Sequence, residues 1–505
     1  MTSFRTAVLF ALAILLLSVP AYAAAPNGTP EFRAMWVDGF NSGIRTPEEA
    51  HQLVADAKKA NFNLLIVQVR RRGDTFYVNS IDPPVEDAPY DPKFDALAYI
   101  VDLAHKDGIQ VHAWVNAMTI WKNQAPPKDP KHVFHTHGIN VKGPDNWLNA
   151  MPDGTQLFEV GYFLDPGHPG AMDYLAGVYS NLVRSYDVDG IHFDYIRYPE
   201  TLKALPRGAE CGYNAVSIAR FQRATGRTDV PKPDDEEFTK WRRQQVTNLV
   251  RRVYLEAKSI KPKVVVSAAV IAWGQAPVKE KDFYNSAPGQ RIFQDWNGWL
   301  KDGILDMAVP MNYAREVDPK VREYWNGWIA FEKKYKHGRH MVVGIGSYLN
   351  APESNLAQVS RVRQPLGNAA ADGVSFFNYT SLKRLFQPRG EAAPLATKLT
   401  MDALIESAFT APAPAPKALW IEQPTTGYVF GRLTAPTPAA ADGVTISIRR
   451  SGFNPFRGSK KVVTDGNGYF GLANLKPGSY DIKIADKKVK VSVEAGKVSR
   501  ADLGL

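Results

Sequence analysis

"DGIHFDYIRYPE", residues 189–200, decides the fold. Read as a strand it alternates strictly, with Ile191, Phe193 and Tyr195 on one face and His192 and Asp194 on the other. Two earlier stretches share the pattern. "LLIVQVR" (64–70) sets Leu65, Val67 and Val69 against Ile66, Gln68 and Arg70. "IQVHAWVNA" (109–117) sets Val111, Ala113 and Val115 against His112, Trp114 and Asn116. One face suits covering helices, and the other grows more polar towards the strand's C-terminal end. The inside of a parallel barrel has this character, with its chemistry at that end.

The remaining chain supplies the partners. "FRAMWVDGF" (32–40), "KVVVSAAVIA" (263–272), "ILDMAVPMNY" (304–313), "HMVVGIGSY" (340–348) and "GVSFFNY" (373–379) read as strands. Helical patterns separate them near residues 94–106, 171–185, 236–259, 292–301, 320–335 and 353–370, and another opens at Thr46-Pro47 with Thr46 as its cap. Eight strands alternating with helices predict an α/β fold, a (β/α)8 TIM-type barrel over residues 31–409. A doubly wound open sheet is the alternative. Against it, no strand is followed by a glycine-rich phosphate cradle.

Residues 1–23 read as a secretory signal peptide: Arg5, an apolar run from Ala7 to Val19, then Pro20 and the small-x-small Ala21-Tyr22-Ala23. The run is too short for a membrane span, so a secreted or periplasmic protein without stable membrane insertion is expected. Beyond "TAPAPAPK" (410–417), a Pro/Ala linker, short alternating strands with Gly, Asp and Asn turns predict a β-sandwich over 418–505. It resembles the carboxypeptidase-regulatory-like modules appended to exported proteins. The chain of 505 residues is 45% hydrophobic, 22% charged and 11% aromatic, as in an ordinary globular protein with aromatic surface to spare for sugar rings. Its net charge of +10 comes from scattered Lys and Arg without a basic tract, which argues against nucleic acid. Cys211 is the only cysteine, so an intrachain disulfide and a thiolate metal cluster are excluded.

Cleaving a glycosidic bond takes two carboxyl groups flanking it. Asp194 is the first candidate; the bland alternative is a structural carboxylate paired with Arg70 or Arg197. Asp295 in "RIFQDWNGWL" and Glu316 in "PMNYAREVD" are candidates for the second, each also readable as a helix cap or a surface ion-pair member. His112 and His192 lie deeper on their strands and could orient other groups or meet substrate. His132, His135 and His137 cluster in "KHVFHTHG" without a metal-ligand spacing and read as loop histidines. No metal and no cofactor is implied.

These stretches, with "VQVRRRGDTFY", "YFLDPGHPGAMDYL", the Asp-Trp of "FQDWNGW" and "PMNY", resemble the successive barrel motifs of glycosyl-hydrolase-like family ten. The resemblance covers roughly residues 31–390 and implies an exported barrel that cleaves peptidoglycan glycan strands lacking stem peptides. It implies Asp194 as nucleophile or base. It also implies a cleft lined by Trp36, Gln68, Arg70, Asp74, Asn116, Asp165, Arg197, Tyr198, Asp295 and Tyr313. The chain departs from the family pattern at Tyr195, where many members carry a second acid, and at Met311-Asn312-Tyr313, where a glutamine is expected. On this reading Arg70 and Arg197 could bind an anionic substituent such as a lactyl carboxylate. A non-catalytic glycan-binding scaffold is the competing function, and a metal-dependent amidase or deacetylase a third.

Overall fold

Eight parallel strands close into a ring in the computed structural model, which describes residues 28–201, 208–388, 396–452, 459–485 and 487–505. They are β1 (Phe32–Val37), β2 (Leu64–Arg70), β3 (Gln110–Asn116), β4 (Gly190–Asp194), β5 (Val265–Ile271), β6 (Met307–Asn312), β7 (His340–Gly346) and β8 (Gly373–Phe377). Their order round the ring is their order in the chain, and β8 returns to β1 with Phe32 opposite Gly373. That closing pair rules out the open doubly wound sheet. The proposed signal peptide lies outside the described residues. Among those residues, no helix is long and apolar enough to cross a membrane.

The strand alternation sorts side chains as the pattern demands. Leu65, Val67, Val111, Ala113, Ile191 and Phe193 face the helices in one large core. Ala34, Trp36, Ile66, Trp114, Met307, Val309 and Val342 fill the barrel interior in another. Glycine is needed where this interior is most crowded: a Cβ on Gly344 would lie 2.4 Å from the Pro310 carbonyl and 2.8 Å from the Trp36 ring.

One irregularity overturns an expectation. A β-bulge between Gln68 and Arg70 places Arg70 opposite Val115, an outward residue. The Arg70 guanidinium therefore points away from the interior. Fully buried, it bonds Asp82 at 2.7 Å, the Asn116 and Ala117 carbonyls at 2.5 and 3.2 Å, and the Tyr174 hydroxyl at 3.1 Å. It cannot reach a substrate's carboxylate.

Helix boundaries differ where capping wins over apolar pattern. The helix expected from residue 292 starts at Trp296, because the Asp295 side chain accepts from the Gly298 amide and caps it there. The one expected to run to residue 370 ends at Arg363. The insertion after β3 contains a small sheet of Thr119–Trp121, Leu157–Phe158 and Gly161–Phe163, and a further helix, Ala215–Thr225, follows β4.

The Pro/Ala stretch is docked along the barrel's N-terminal end. The Pro414 carbonyl accepts from the Glu31 amide at 3.0 Å, the Ala413 carbonyl from Asn63 at 3.0 Å and the Ala411 carbonyl from Arg33 at 2.5 Å. Ala415 packs against the interior core. Just beyond, the Trp420 indole donates to Asp306 at 2.7 Å. Asp306 is a buried hub that also meets Lys258 at 2.9 Å and Tyr254 at 3.0 Å. Burial alone would raise its pKa, but Lys258 and Arg339 overcome this and hold it low.

The C-terminal residues form two facing sheets around Val429, Ile446, Ile448, Phe470 and Ile482. Their flank lies on helix Glu236–Ile260, with Arg252 3.8 Å over the Tyr469 ring. Arg220 grips Asp442 through two bonds of 2.7 and 2.8 Å.

Candidate active site

Asp194 is the last residue of β4 and is 6% exposed. Its Oδ1 accepts from the Tyr195 amide at 2.6 Å and from Arg197 at 3.4 Å. Burial raises its pKa; Arg197, the Tyr195 amide and the Trp114 indole oppose that by favouring the anion. Tyr195 ends the strand with φ +47°, a left-handed conformation that costs a side-chain-bearing residue about 1–3 kcal/mol. This turn brings Arg197 back beside Asp194, stacked 4.3 Å over the Tyr195 ring.

A chain of amides holds the floor beside it. The Gly39 amide donates to Gln68 Oε1 at 2.9 Å, Gln68 Nε2 to Asn116 Oδ1 at 3.2 Å, and Asn116 Nδ2 to the Arg71 carbonyl at 2.9 Å. The Trp114 indole donates to the same Asn116 oxygen at 2.8 Å. Trp36 lies below, edge-on to Tyr313 at 6.3 Å and 6.2 Å from Phe377. Tyr313 feels the charge of Asp194, and its buried hydroxyl has no partner among the described residues. Asp74 shapes the loop after β2, bonding Arg71 at 2.8 Å and the Arg72 amide at 2.9 Å.

The two strand histidines are sealed beneath this floor. Trp36 donates its indole N–H to His192 Nε2 at 3.1 Å, so His192 carries its proton on Nδ1 and donates to Ser267 Oγ at 2.9 Å. Ser267 gives its own proton to the Ile191 carbonyl, so His112 Nδ1 also donates to Ser267, at 2.9 Å. Burial pushes His112 down to about 4 and His192 well below the usual histidine range, so both stay neutral. They plug the barrel and touch no cleft.

Neither expected second carboxylate faces Asp194. Asp295 caps its helix, accepts from the Tyr284 hydroxyl at 3.2 Å and borders a groove of about 590 Å³ with Arg243, Thr247 and Arg251 of helix Glu236–Ile260. Burial lifts its pKa to about 6, but in the helix layer. The neighbouring Gln294 is the residue that reaches the barrel, accepting from the Ile271 amide at 2.8 Å. Glu316 turns outward to Arg361 at 2.5 Å and Gln358 at 3.2 Å on helix Pro352–Arg363.

Asp165 and Tyr198 also leave the cleft. Asp165 is fully buried, accepts from the Gly167 amide at 2.7 Å and is raised to about 6 by burial. Tyr198 packs edge-on against Phe293 at 5.2 Å. The three clustered histidines serve their own loop: His132 caps the helix Val133–His137, His135 meets the Pro127 carbonyl at 2.6 Å, and His137 stacks on Trp147 at 3.3 Å. Among the described residues, no three His, Cys, Asp or Glu side chains are grouped to hold a metal. Burial raises the Cys211 thiol to about 12, leaving it protonated.

A model of the family described as glycosyl hydrolase-like 10 matches residues 31–346. The chain belongs to this family. The Bacillus subtilis protein named glycosyl hydrolase YngK is 24% identical over 431 residues, covering 81% of this chain and 77% of its own length. Glycosyl hydrolase DigH of Escherichia coli K12 is 26% identical over 273 residues, covering 51% of this chain and 55% of its own. The PgaB (BpsB) glycoside hydrolase domain of Bordetella bronchiseptica aligns with 69% of this chain and 94% of its own at a TM-score of 0.49 and 14% identity.

With the family's barrel in place, the rim contains residues that strand reading missed. Arg71 and Arg72 stand 5.0 and 4.8 Å from the exposed Phe40 ring, and Arg197 is 6.0 Å from Trp273. Glu200 sits six positions after Asp194, and its charge is felt by Tyr195 and offset by Arg197. It stands exposed at the rim; the desolvation it meets there raises its pKa, and Glu159 adds to the rise. The only signal for it in the sequence is its place at the end of the β4 motif.

Proposed function

We propose that the protein is an exported glycoside hydrolase acting on a bacterial envelope polysaccharide, with peptidoglycan glycan strands as substrate. The observation that carries this reading is the setting of Asp194: a carboxylate at the C-terminal end of a barrel strand, flanked by Trp114, Tyr313 and Arg197, in a chain of the glycosyl hydrolase-like 10 family. Export rests on the leader-like residues 1–23.

Asp194 meets the positive charge that develops at the anomeric carbon, and Glu200 donates a proton to the leaving oxygen. A donor must hold its proton near neutral pH, and the desolvation of Glu200 works in that direction. Arg197, whose charge is felt by both groups, opposes the rise that burial imposes on each.

The test is release of reducing ends from peptide-free glycan strands. Asp194→Asn abolishes release while circular dichroism is unchanged. Glu200→Gln loses turnover on unactivated strands and loses the fall in rate on the alkaline side. Undiminished release by Asp194→Asn removes the assignment. The replacement of the family's second acid by Tyr195 favours a second reading, a glycan-binding scaffold. Parent protein that retains strands without shortening them establishes that reading instead.

A further inference from the structure

A groove of about 300 Å³ lies between the turn after β7 and the segment after β8, lined by Tyr348, Ser381, Arg384, Leu385 and Phe386 among others. We propose that it is a carbohydrate subsite for a sugar that carries a carboxylate. The proposal rests on the glycan-cleaving reading above and names the chemistry of one substrate unit.

Position is the first argument. Ser347–Leu349 follows β7 directly and Tyr379–Leu382 follows β8, so the groove opens on the same end of the barrel as Asp194. Continuity is the second. Tyr313, which senses Asp194, has its ring 5.6 Å from Phe377 and 6.2 Å from Tyr348; Tyr348 and Phe377 are 6.1 Å apart. These rings form a continuous aromatic wall from Tyr313 to the groove. At its outer end Tyr348 is 47% exposed and Leu385 46%. An aromatic face beside an aliphatic one is a surface on which a pyranose ring stacks.

Charge gives the specificity. Arg384 is exposed and has no ion pair among the described residues, whereas its neighbour Lys383 is bound to Asp56 at 2.5 Å. Among the described residues, no Asp or Glu lines the groove. A guanidinium fork with no acidic partner among the described residues, beside a stacking platform, matches a sugar with a carboxylate within reach of its ring, and a neutral sugar would leave it unused.

The experiment measures binding to Asp194→Asn protein, which holds strands without cutting them. The probes are peptide-free strands of N-acetylglucosamine alternating with its lactyl ether, the same strands with their carboxyls reduced to alcohols, and an oligouronate. The lactyl strand is expected to bind about three- to tenfold more tightly than its reduced counterpart. Adding Arg384→Ala erases that difference, and Tyr348→Ala weakens both strands alike. Arg384-dependent binding of the oligouronate instead places the carboxylate on the ring. A preference for the lactyl strand that survives Arg384→Ala overturns the subsite while leaving the hydrolase reading intact. Strands that are neither bound here nor cut by the parent overturn the hydrolase reading itself.

Discussion

Removing Asp82 tests whether Arg70 is part of the scaffold. Asp82 is 6% exposed and, among the described residues, is the one carboxylate bonded to the fully buried Arg70. In Asp82→Ala the guanidinium keeps its bonds to the Asn116 and Ala117 carbonyls but loses the 2.7 Å bond from Nε. Tyr174 loses its acceptor as well. An uncompensated buried charge costs about 3–5 kcal/mol, and that is the expected loss of stability. The double variant Arg70→Met/Asp82→Leu removes both charges and fills their space with apolar side chains. Its remaining deficit is about 1–3 kcal/mol, because two backbone carbonyls then lack a donor. The assay is guanidinium denaturation followed by tryptophan fluorescence at pH 7, with glycan binding measured in parallel. The double variant should thus be more stable than the single one. A single variant within about 0.5 kcal/mol of the parent, paired with loss of binding to carboxylate-bearing strands, refutes the reasoning and returns Arg70 to the cleft.

Glu332, fully buried against Asn312 at 2.9 Å, is raised to about 8 by burial, with Asn312 and Lys333 opposing. The folded chain therefore holds a proton that the unfolded chain releases near the ordinary glutamate range. Stability from this group falls as pH rises from that range through about 8. Glu332→Gln should flatten the trend and melt higher than the parent at pH 9 and not at pH 4; an equal offset at both pH values contradicts it. Trp420→Ala, which strips the indole donor from Asp306, should cost about 1–3 kcal/mol in thermal or denaturant unfolding, and no change would contradict the docking at the base. Limited proteolysis of the native parent should spare residues 410–417, whose carbonyls are engaged by Glu31, Arg33 and Asn63; early release of the C-terminal module would show the stretch to be loose.

Period-two alternation made the barrel legible, because each strand must send one face to helices and one to the interior. The same rule located Gln68, Asn116 and Asp194. It failed for Arg70, since one bulge residue reverses every orientation beyond it and leaves no mark in the hydrophobic pattern. Asp295 and Glu316 were misplaced for another reason. Both follow strand ends, but their loops turn outward, so each carboxylate serves a helix: one as cap, the other as partner of Arg361. Glu200 and Arg384 lie on irregular segments with no periodic signal to aim them. Their neighbours across the rim come from strands far apart in the chain, and only closure of the ring brings them near.

The strap of residues 410–420 beneath the barrel has a consequence for how the molecule is made. Synthesis delivers β1 early and the strap only after all eight barrel strands, yet the backbone of Glu31 and the side chain of Asn63 wait for acceptors that Pro414 and Ala413 supply. Until those residues arrive, the lower opening of the ring, with Phe32 and His340 at its edge, lacks the cover they supply. A chain cut after residue 409 therefore keeps every strand of the ring, closed by β8 on β1, but leaves the lower opening bare, which marks it for aggregation before the strap is in place.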